Sequence, residues 1–196
     1  MNLKEIANIR TGLVLSRKKA ALSDEVKVPY KQITLKSFST SIKLQKEYFD
    51  DFDSVEKIDS TYISRAGDIL VRLREPNVAV HIDEESTGLV IPSLMSIVRV
   101  EDDSVNSEFL AYYLNSTTIK RALKDKIKGT TIPMIKTKDL EDLDIVLPAL
   151  EEQKRVVEFL KLSQREVELL DDLRKQKEQF GQAILDTIIT RNKDNG

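Results

Sequence analysis

The chain has 196 residues, 40% hydrophobic and 33% charged, with 31 Lys and Arg against 33 Asp and Glu for a formal net charge of −2. This suits a globular, charge-rich protein rather than a disordered one, and the absence of cysteine excludes disulfides, thiolate metal sites and a cysteine nucleophile. No apolar run approaches the ~18 residues of a bilayer span, and "MNLKEIANIR" lacks the apolar core of a secretory signal, so a cytoplasmic protein is expected.

The first 150 or so residues read as strand-rich. "LKEIANIRTGLVL" begins with helical spacing and then reaches Gly12 and a short apolar run. "VPYKQITLKSF" alternates as a strand, with Tyr30, Ile33 and Leu35 apolar. "STYISRAGDILVRL" reads as strand, turn at Ala66-Gly67-Asp68, and strand. In "REPNVAVHI" a Pro-Asn turn leads into the alternating strand Val78, Val80, Ile82. "GLVIPSLMSIVRV" predicts two more strands around Pro92. Short strands between turn residues predict a compact, curved sheet or barrel, not a doubly wound one.

The pattern then turns helical. "NSEFLAYYLNSTTIKRALKDKI" predicts two helices broken near Asn115-Ser116; Ser107 is the expected cap of the first, and Phe109, Leu110, Tyr113 and Leu114 its apolar stripe. "KGTTIPMIKTKDLEDLDIVLP" predicts a loop, a short helical turn and a strand from Leu143 to Leu147. Pro148 ends that strand, and Glu151 and Glu152 suit the positive end of a new helix. From about Glu151 to Arg191 there is no proline and only Gly181 among glycines, so a single helix is expected. About 40 residues would make a rod of roughly 60 Å. The expected class is therefore α+β: a globular domain over residues 1–148, then one long helix over 149–196.

One apolar stripe runs along that helix: Leu160, Val167, Leu170, Leu173, Phe180, Ile184 and Ile188, with Ser163 and Lys177 near the seam. Such a stripe packs against another helix, here in an antiparallel or locally irregular coiled coil. The alternative, folding back on the globular domain, is disfavoured by the rod's length.

Charge is segregated. From Ser116 to Lys138 the sequence has Lys120, Arg121, Lys124, Lys126, Lys128, Lys136 and Lys138 against Asp125 alone, and Arg17, Lys18 and Lys19 form a second knot. A nearly neutral chain arranged this way can still present a positive face. The plainer reading of these lysines is a solvated helix surface.

Catalytic signals are weak. His81 is the single histidine, so a two-histidine metal site is impossible and a Ser-His-Asp triad would rest on it alone. It sits in the alternating run "VAVHID", as a strand residue would. The six glycines form neither a Walker loop nor a dinucleotide fingerprint. Asp50-Asp51 and Asp102-Asp103 read as solvated loop carboxylates. No catalytic residue, metal or cofactor is expected.

The ordered features "LKEIANIRTG", "AGDILVRLREPNVAV", "FLAYYLNS" and "GTTIPMIKTKDLEDLDIVLPALEEQKRVVEFL" resemble the specificity subunits of type I restriction-modification systems, the "LP-x-L-EEQ" junction being the most specific part. The resemblance implies a target recognition domain that reads half of a split site in double-stranded DNA. It also implies a spacer helix that sets the distance between half-sites, methyltransferase subunits that carry the chemistry, and a restriction/translocase subunit that joins them. This chain has one recognition domain and one long helix where a full-length subunit has two of each. Either it is a piece of a longer subunit, or it is a half-subunit that pairs with itself, and a homodimer seamed by the seven apolar residues named above would then recognise a symmetric split site.

For DNA contact the expected residues are Lys124, Lys126 and Lys128, then Gly129 for close backbone approach, with Thr130 and Thr131 as donors to phosphate or base edges. Lys136 and Lys138 follow. Arg72 and Arg74, two apart in one strand run, would share a face and suit guanine readout, and Arg17, Lys18 and Lys19 would grip the backbone. The rival readings are a coiled-coil protein-interaction adaptor without DNA specificity, and a small carboxylate nuclease.

Overall fold

The computed structural model describes residues 1–21, 28–38, 42–75, 77–127 and 134–194. In chain order the strands are β1 (Ala7–Thr11), β2 (Val28–Gln32), β3 (Asp50–Ser54), β4 (Ile69–Arg72), β5 (Ala79–His81) and β6 (Met95–Val100), and the helices α1 (Ser107–Leu114), α2 (Thr117–Lys126), α3 (Thr137–Glu141) and α4 (Leu150–Asp194). Four strands form one antiparallel sheet in the order β1-β6-β4-β5, and β2 and β3 form a separate antiparallel ribbon. The class is α+β.

Period-two alternation decides what each face of the four-stranded sheet meets. Ile69, Val71, Ala79 and Val98 point into one core, shared with Leu110 and Leu114 of α1, Ile119 and Leu123 of α2, and Leu140 of α3. Leu70, Val80, Ile82, Met95 and Ile97 point the other way, into a second core with Ile33 and Leu44. The sheet is thus covered on both faces, and each fully buried aliphatic side chain contributes about 1.5–3 kcal/mol.

Residues 89–92 link this sheet to the ribbon. Val90 makes isolated bridges to Gln32 and Ile63, and Pro92 to Leu13. The segment around Pro92 was expected to give two strands, but only β6 is a regular strand, because Val90 and Pro92 spend their backbone groups on single bridges to different partners. "STYIS" likewise forms a 3-10 turn, Ser60–Tyr62, rather than a strand. The turn at Gly67 is as expected, with φ at 86°.

Gly12 lies where β1 crosses this link. Its N–H donates to Met95 O at 2.9 Å, and a Cβ there would fall 2.3 Å from Pro92 O and 2.5 Å from Ile91 O. Gly12→Ala is expected to cost about 1–3 kcal/mol or more, because backbone must move to admit the methyl. Urea unfolding checks this; a loss below about 0.5 kcal/mol, the size of ordinary surface changes, would contradict it.

Three further expectations need correction. Residues 3–11 do not form a helix: a 3-10 turn, Leu3–Glu5, leads directly into β1, whose five residues pair with β6 from Ala7↔Val100 to Thr11↔Ser96. Residues 143–147 are extended but not a strand, since they are held by a single bridge, Asn2↔Asp144, flanked by Leu3 N–H to Leu143 O and Ile145 N–H to Met1 O. The cap of α1 is Asn106, not Ser107, its side chain accepting from the Phe109 N–H. The break between α1 and α2 falls at Asn115-Ser116 as expected, and Ser116 caps α2.

The chain divides into two compact units, Met1–Lys154 and Arg155–Gly196. The first turn of α4 therefore belongs to the globular unit. Helix α4 spans 45 residues, with Glu151 and Glu152 in its first turn, a length of roughly 65 Å.

Candidate nucleic-acid interface

Helix α2 buries Ile119 and Leu123, one turn apart, against the core. With that face committed, Lys120, Arg121, Lys124 and Lys126 are exposed. Lys124 and Lys126 lie in the last turn, where cations also offset the negative end of the helix dipole. Lys120 and Lys124 line a groove of about 470 Å³ whose other described walls are Glu75 and Asn77.

Asn77 fixes the turn that follows β4. Its Nδ2 donates to Arg72 O at 3.0 Å and to Leu73 O at 3.1 Å. The strand expected to run on through Arg74 ends at Arg72. Arg72 is drawn against the turn, with one Nη2 donating to Glu75 O at 3.4 Å, and its Nε is buried without a partner among the described residues. Arg74 is exposed and forms an isolated bridge with Met134, and the Ile135 N–H donates to Leu73 O at 2.9 Å. These bonds bring the chain after residue 133 alongside the end of β4. Lys128, Gly129, Thr130 and Thr131 lie outside the described residues.

Lys136 and Lys138 are exposed at the start of α3, where the Lys136 N–H donates to Asp139 Oδ2 at 2.7 Å. The Thr137 hydroxyl pins this helix to the sheet, meeting Thr11 Oγ1 at 2.6 Å and Ser96 Oγ at 3.0 Å. At its other end the Asp142 carboxyl is held below its ordinary value, chiefly by the hydrogen bond from Lys4 Nζ at 3.0 Å, then by the charges of Lys4, Lys138 and Lys126. The charges of Lys126, at the end of α2, and of Lys138, in α3, thus both favour the ionised form of this carboxyl. Lys4 is raised in turn, first by that bond.

The second basic knot is built differently. Arg17 ends a 3-10 turn, Lys18 forms an ion pair with Glu56, and Lys19 bridges Ser54 at the end of β3. Arg17 and Lys18 line another cleft with Glu56, Lys57 and Tyr62. It shares no lining residue with the α2 groove. The structure thus groups Arg72, Arg74, Lys124, Lys126, Lys136 and Lys138 through shared turns and bridges, and leaves Arg17, Lys18 and Lys19 on other elements.

Two members of the groove were not among the DNA contacts expected from the sequence. Lys120 stands four residues before Lys124, a spacing that could have found it. Asn77 was legible only as part of a Pro-Asn turn, because its role depends on which backbone carbonyls the turn presents. His81 Nε2 lies 3.0 Å from Ser107 Oγ, and among the described residues no cluster of three or more His, Asp or Glu could hold a metal ion. No helix among them is long and apolar enough to cross a membrane.

Taken by itself, α4 carries an exposed apolar stripe. Of the predicted seam, Leu160 is half-buried, and the remaining six range from 44% exposed at Ile184 to 68% at Phe180. Phe159, Leu162, Leu169, Leu185 and Ile189 are exposed as well, so the stripe is broader than the predicted seam. The rest of the surface is laced with short-range ion pairs, such as Arg174 with Glu178 at 2.8 Å.

The chain thus joins a strand-rich unit to one long amphipathic helix. Residues 1–179 match the family described as type I restriction modification DNA specificity domain, and the chain belongs to that family. The type I restriction enzyme MjaVIII specificity subunit of Methanocaldococcus jannaschii is 29% identical over 137 residues, covering 65% of this chain and 31% of that protein. The putative type I restriction enzyme MjaX specificity subunit of the same organism is 32% identical over 126 residues, covering 63% of this chain and 28% of that protein. Among solved structures, the HsdS subunit from Thermoanaerobacter tengcongensis shares the fold with a TM-score of 0.66 at 17% identity, over 91% of this chain and 45% of that one. A chain from a type I R-M system studied for its complex assembly and conformational transition gives 0.60 at 22% identity, over 91% and 41%. The matched region thus spans about a third of the curated relatives and under half of the solved chains.

Proposed function

We propose that this chain is a sequence-specific DNA-recognition subunit that reads one half of a bipartite site in double-stranded DNA. It directs methyltransferase subunits to that site and, through the complex, a restriction/translocase subunit. Two copies pair through α4 and so recognise a symmetric split site. The chain itself is non-catalytic and carries no cofactor; methylation and cleavage reside in its partners, in the cytoplasm. The observation that carries this reading is the cationic groove between α2 and the Arg72–Asn77 turn, on a chain of this family. A coiled-coil adaptor would account for the stripe on α4 but not for that groove.

Lysines in the groove would contact phosphate, and each such contact releases counterions. Lys124→Ala is expected to weaken binding to specific and random duplexes alike, and to lower the slope of log K against log salt by about 0.9. Arg74→Ala is expected instead to lose selectivity between sequences. Titrations of the complex at several salt concentrations check both, and equal losses on specific and random DNA for Arg74→Ala would defeat its base-reading role. The first test of the whole reading is to recover the tagged chain from its native cells and identify its companions by mass spectrometry. A DNA adenine methyltransferase with two copies of this chain supports it. A preparation without methyltransferase favours the adaptor.

A further inference from the structure

Gln153 is the most deeply buried polar residue of α4's first turn, 1% exposed between exposed Glu152 and Lys154. Its amide makes three hydrogen bonds, all of them to backbone. Nε2 donates to Ser104 O at 3.1 Å and to Pro148 O at 2.8 Å, and Oε1 accepts from the Asn106 N–H at 2.9 Å. Asn106 caps α1, its Oδ1 accepting from the Phe109 N–H at 2.8 Å. Ser104 is held in turn by Asp102 Oδ1, from its N–H at 2.8 Å and with its hydroxyl at 2.6 Å. One amide therefore joins the start of α4, the approach at Pro148 and the launch of α1.

An apolar side chain here could satisfy the core, but it could also rotate or slide against its neighbours. An amide with fixed donors and acceptors cannot, because any other rotation of the turn leaves buried polar groups unpaired. Successive residues are displaced by about 100° around a helix, so these three bonds select one rotational setting of the first turn. The globular unit ends one residue later, at Lys154. Gln153 is thus the last buried polar side chain of that unit, and Val157, one turn further on in α4, is buried as well.

We propose that Gln153 is a positioning residue that restricts the assembled complex to one spacing between its two half-sites. This rests on the proposed DNA-recognition function. The proposed base contact, Arg74, lies elsewhere, at the end of β4, so loosening the clamp changes the permitted spacing and not the bases read.

The test uses the chain in its native cells with its methyltransferase partners, reading methylated positions by sequencing the genomic DNA. The unsubstituted chain is expected to give one pair of half-sites at one spacer length. Gln153→Ala is expected to keep the same half-site bases and to lose discrimination against spacers one base pair longer or shorter by about tenfold. Gln153→Met, similar in size and unable to make these hydrogen bonds, leaves a smaller void than alanine, which guards against the alanine variant failing to fold, and should relax the spacing in the same direction. Asn115→Ala removes a part-buried amide that joins α1 to Ala79 of β5, away from α4. It controls for general loosening and should leave the spacing unchanged. A single unchanged spacer in a folded Gln153 variant, or equal relaxation in Asn115→Ala, overturns the proposal. No split methylation motif from the unsubstituted chain would instead overturn the function on which it rests.

Discussion

Leu170→Asp combined with Ile184→Asp is expected to convert a dimer into single chains. Both side chains lie on the exposed stripe of α4, at 59% and 44% exposure, and neither contributes to the buried core of the globular unit. Pairing would bury four such side chains across a two-fold interface, each contributing about 1.5–3 kcal/mol. The substitution removes that gain and places carboxylates in the seam, where pairing would desolvate them. Light scattering should give the mass of two chains before substitution and of one after, with the globular unit still melting cooperatively. An unchanged mass would exclude α4 as the dimer seam.

Asp68→Ala is expected to lower the stability of the globular unit by about 3–5 kcal/mol, the cost of leaving one member of a buried ion pair alone. The Asp68 side chain is 3% exposed and that of Arg99 16%. Arg99 donates to both carboxylate oxygens, Nε to Oδ1 at 2.8 Å and Nη2 to Oδ2 at 3.1 Å, and the Arg65 N–H adds a third bond at 2.9 Å. These contacts tie the Gly67 turn to β6. Urea denaturation reads the loss directly. Asp68→Ala with Arg99→Ala should cost less than the two single changes summed, since the pair is broken only once. Additive losses would mean the two side chains act independently.

What the sequence disclosed depended on how local the determining interactions are. The strand around Val80 was legible because alternation is written along the chain, although β5 stops at His81; Val80 and Ile82 both enter one core. The break before α2 was legible because Ser116 is a good cap in its own right. Residues 3–11 were not, since their apolar spacing imitates a helix while the pairing of β1 with β6 comes from residues some ninety positions away. Lysines of the candidate site could be counted from the sequence, but their grouping with Arg72 and Arg74 follows from the Arg74–Met134 bridge and the Asn77 amide. Gln153 illustrates the same limit. The junction around it was the most specific part of the family resemblance, yet a glutamine among charged neighbours on a helix reads as solvated.

The long-range closure of the sheet has a consequence for synthesis on the ribosome. β1 cannot find its partner until Val100 has emerged, and Leu3 finds its acceptor only when Leu143 arrives. At about 5–20 residues per second, β1 waits roughly 5–20 s for β6. Throughout that interval Ile6, Ala7 and Ile9 are apolar residues on an unpaired strand. The β4–β5 hairpin, whose pairing is local, can form early and stand as the template to which β6 and then β1 are added. Newly made chains are therefore most exposed to aggregation before residue 100 is translated, and a pause in translation just ahead of β6 would prolong that exposure.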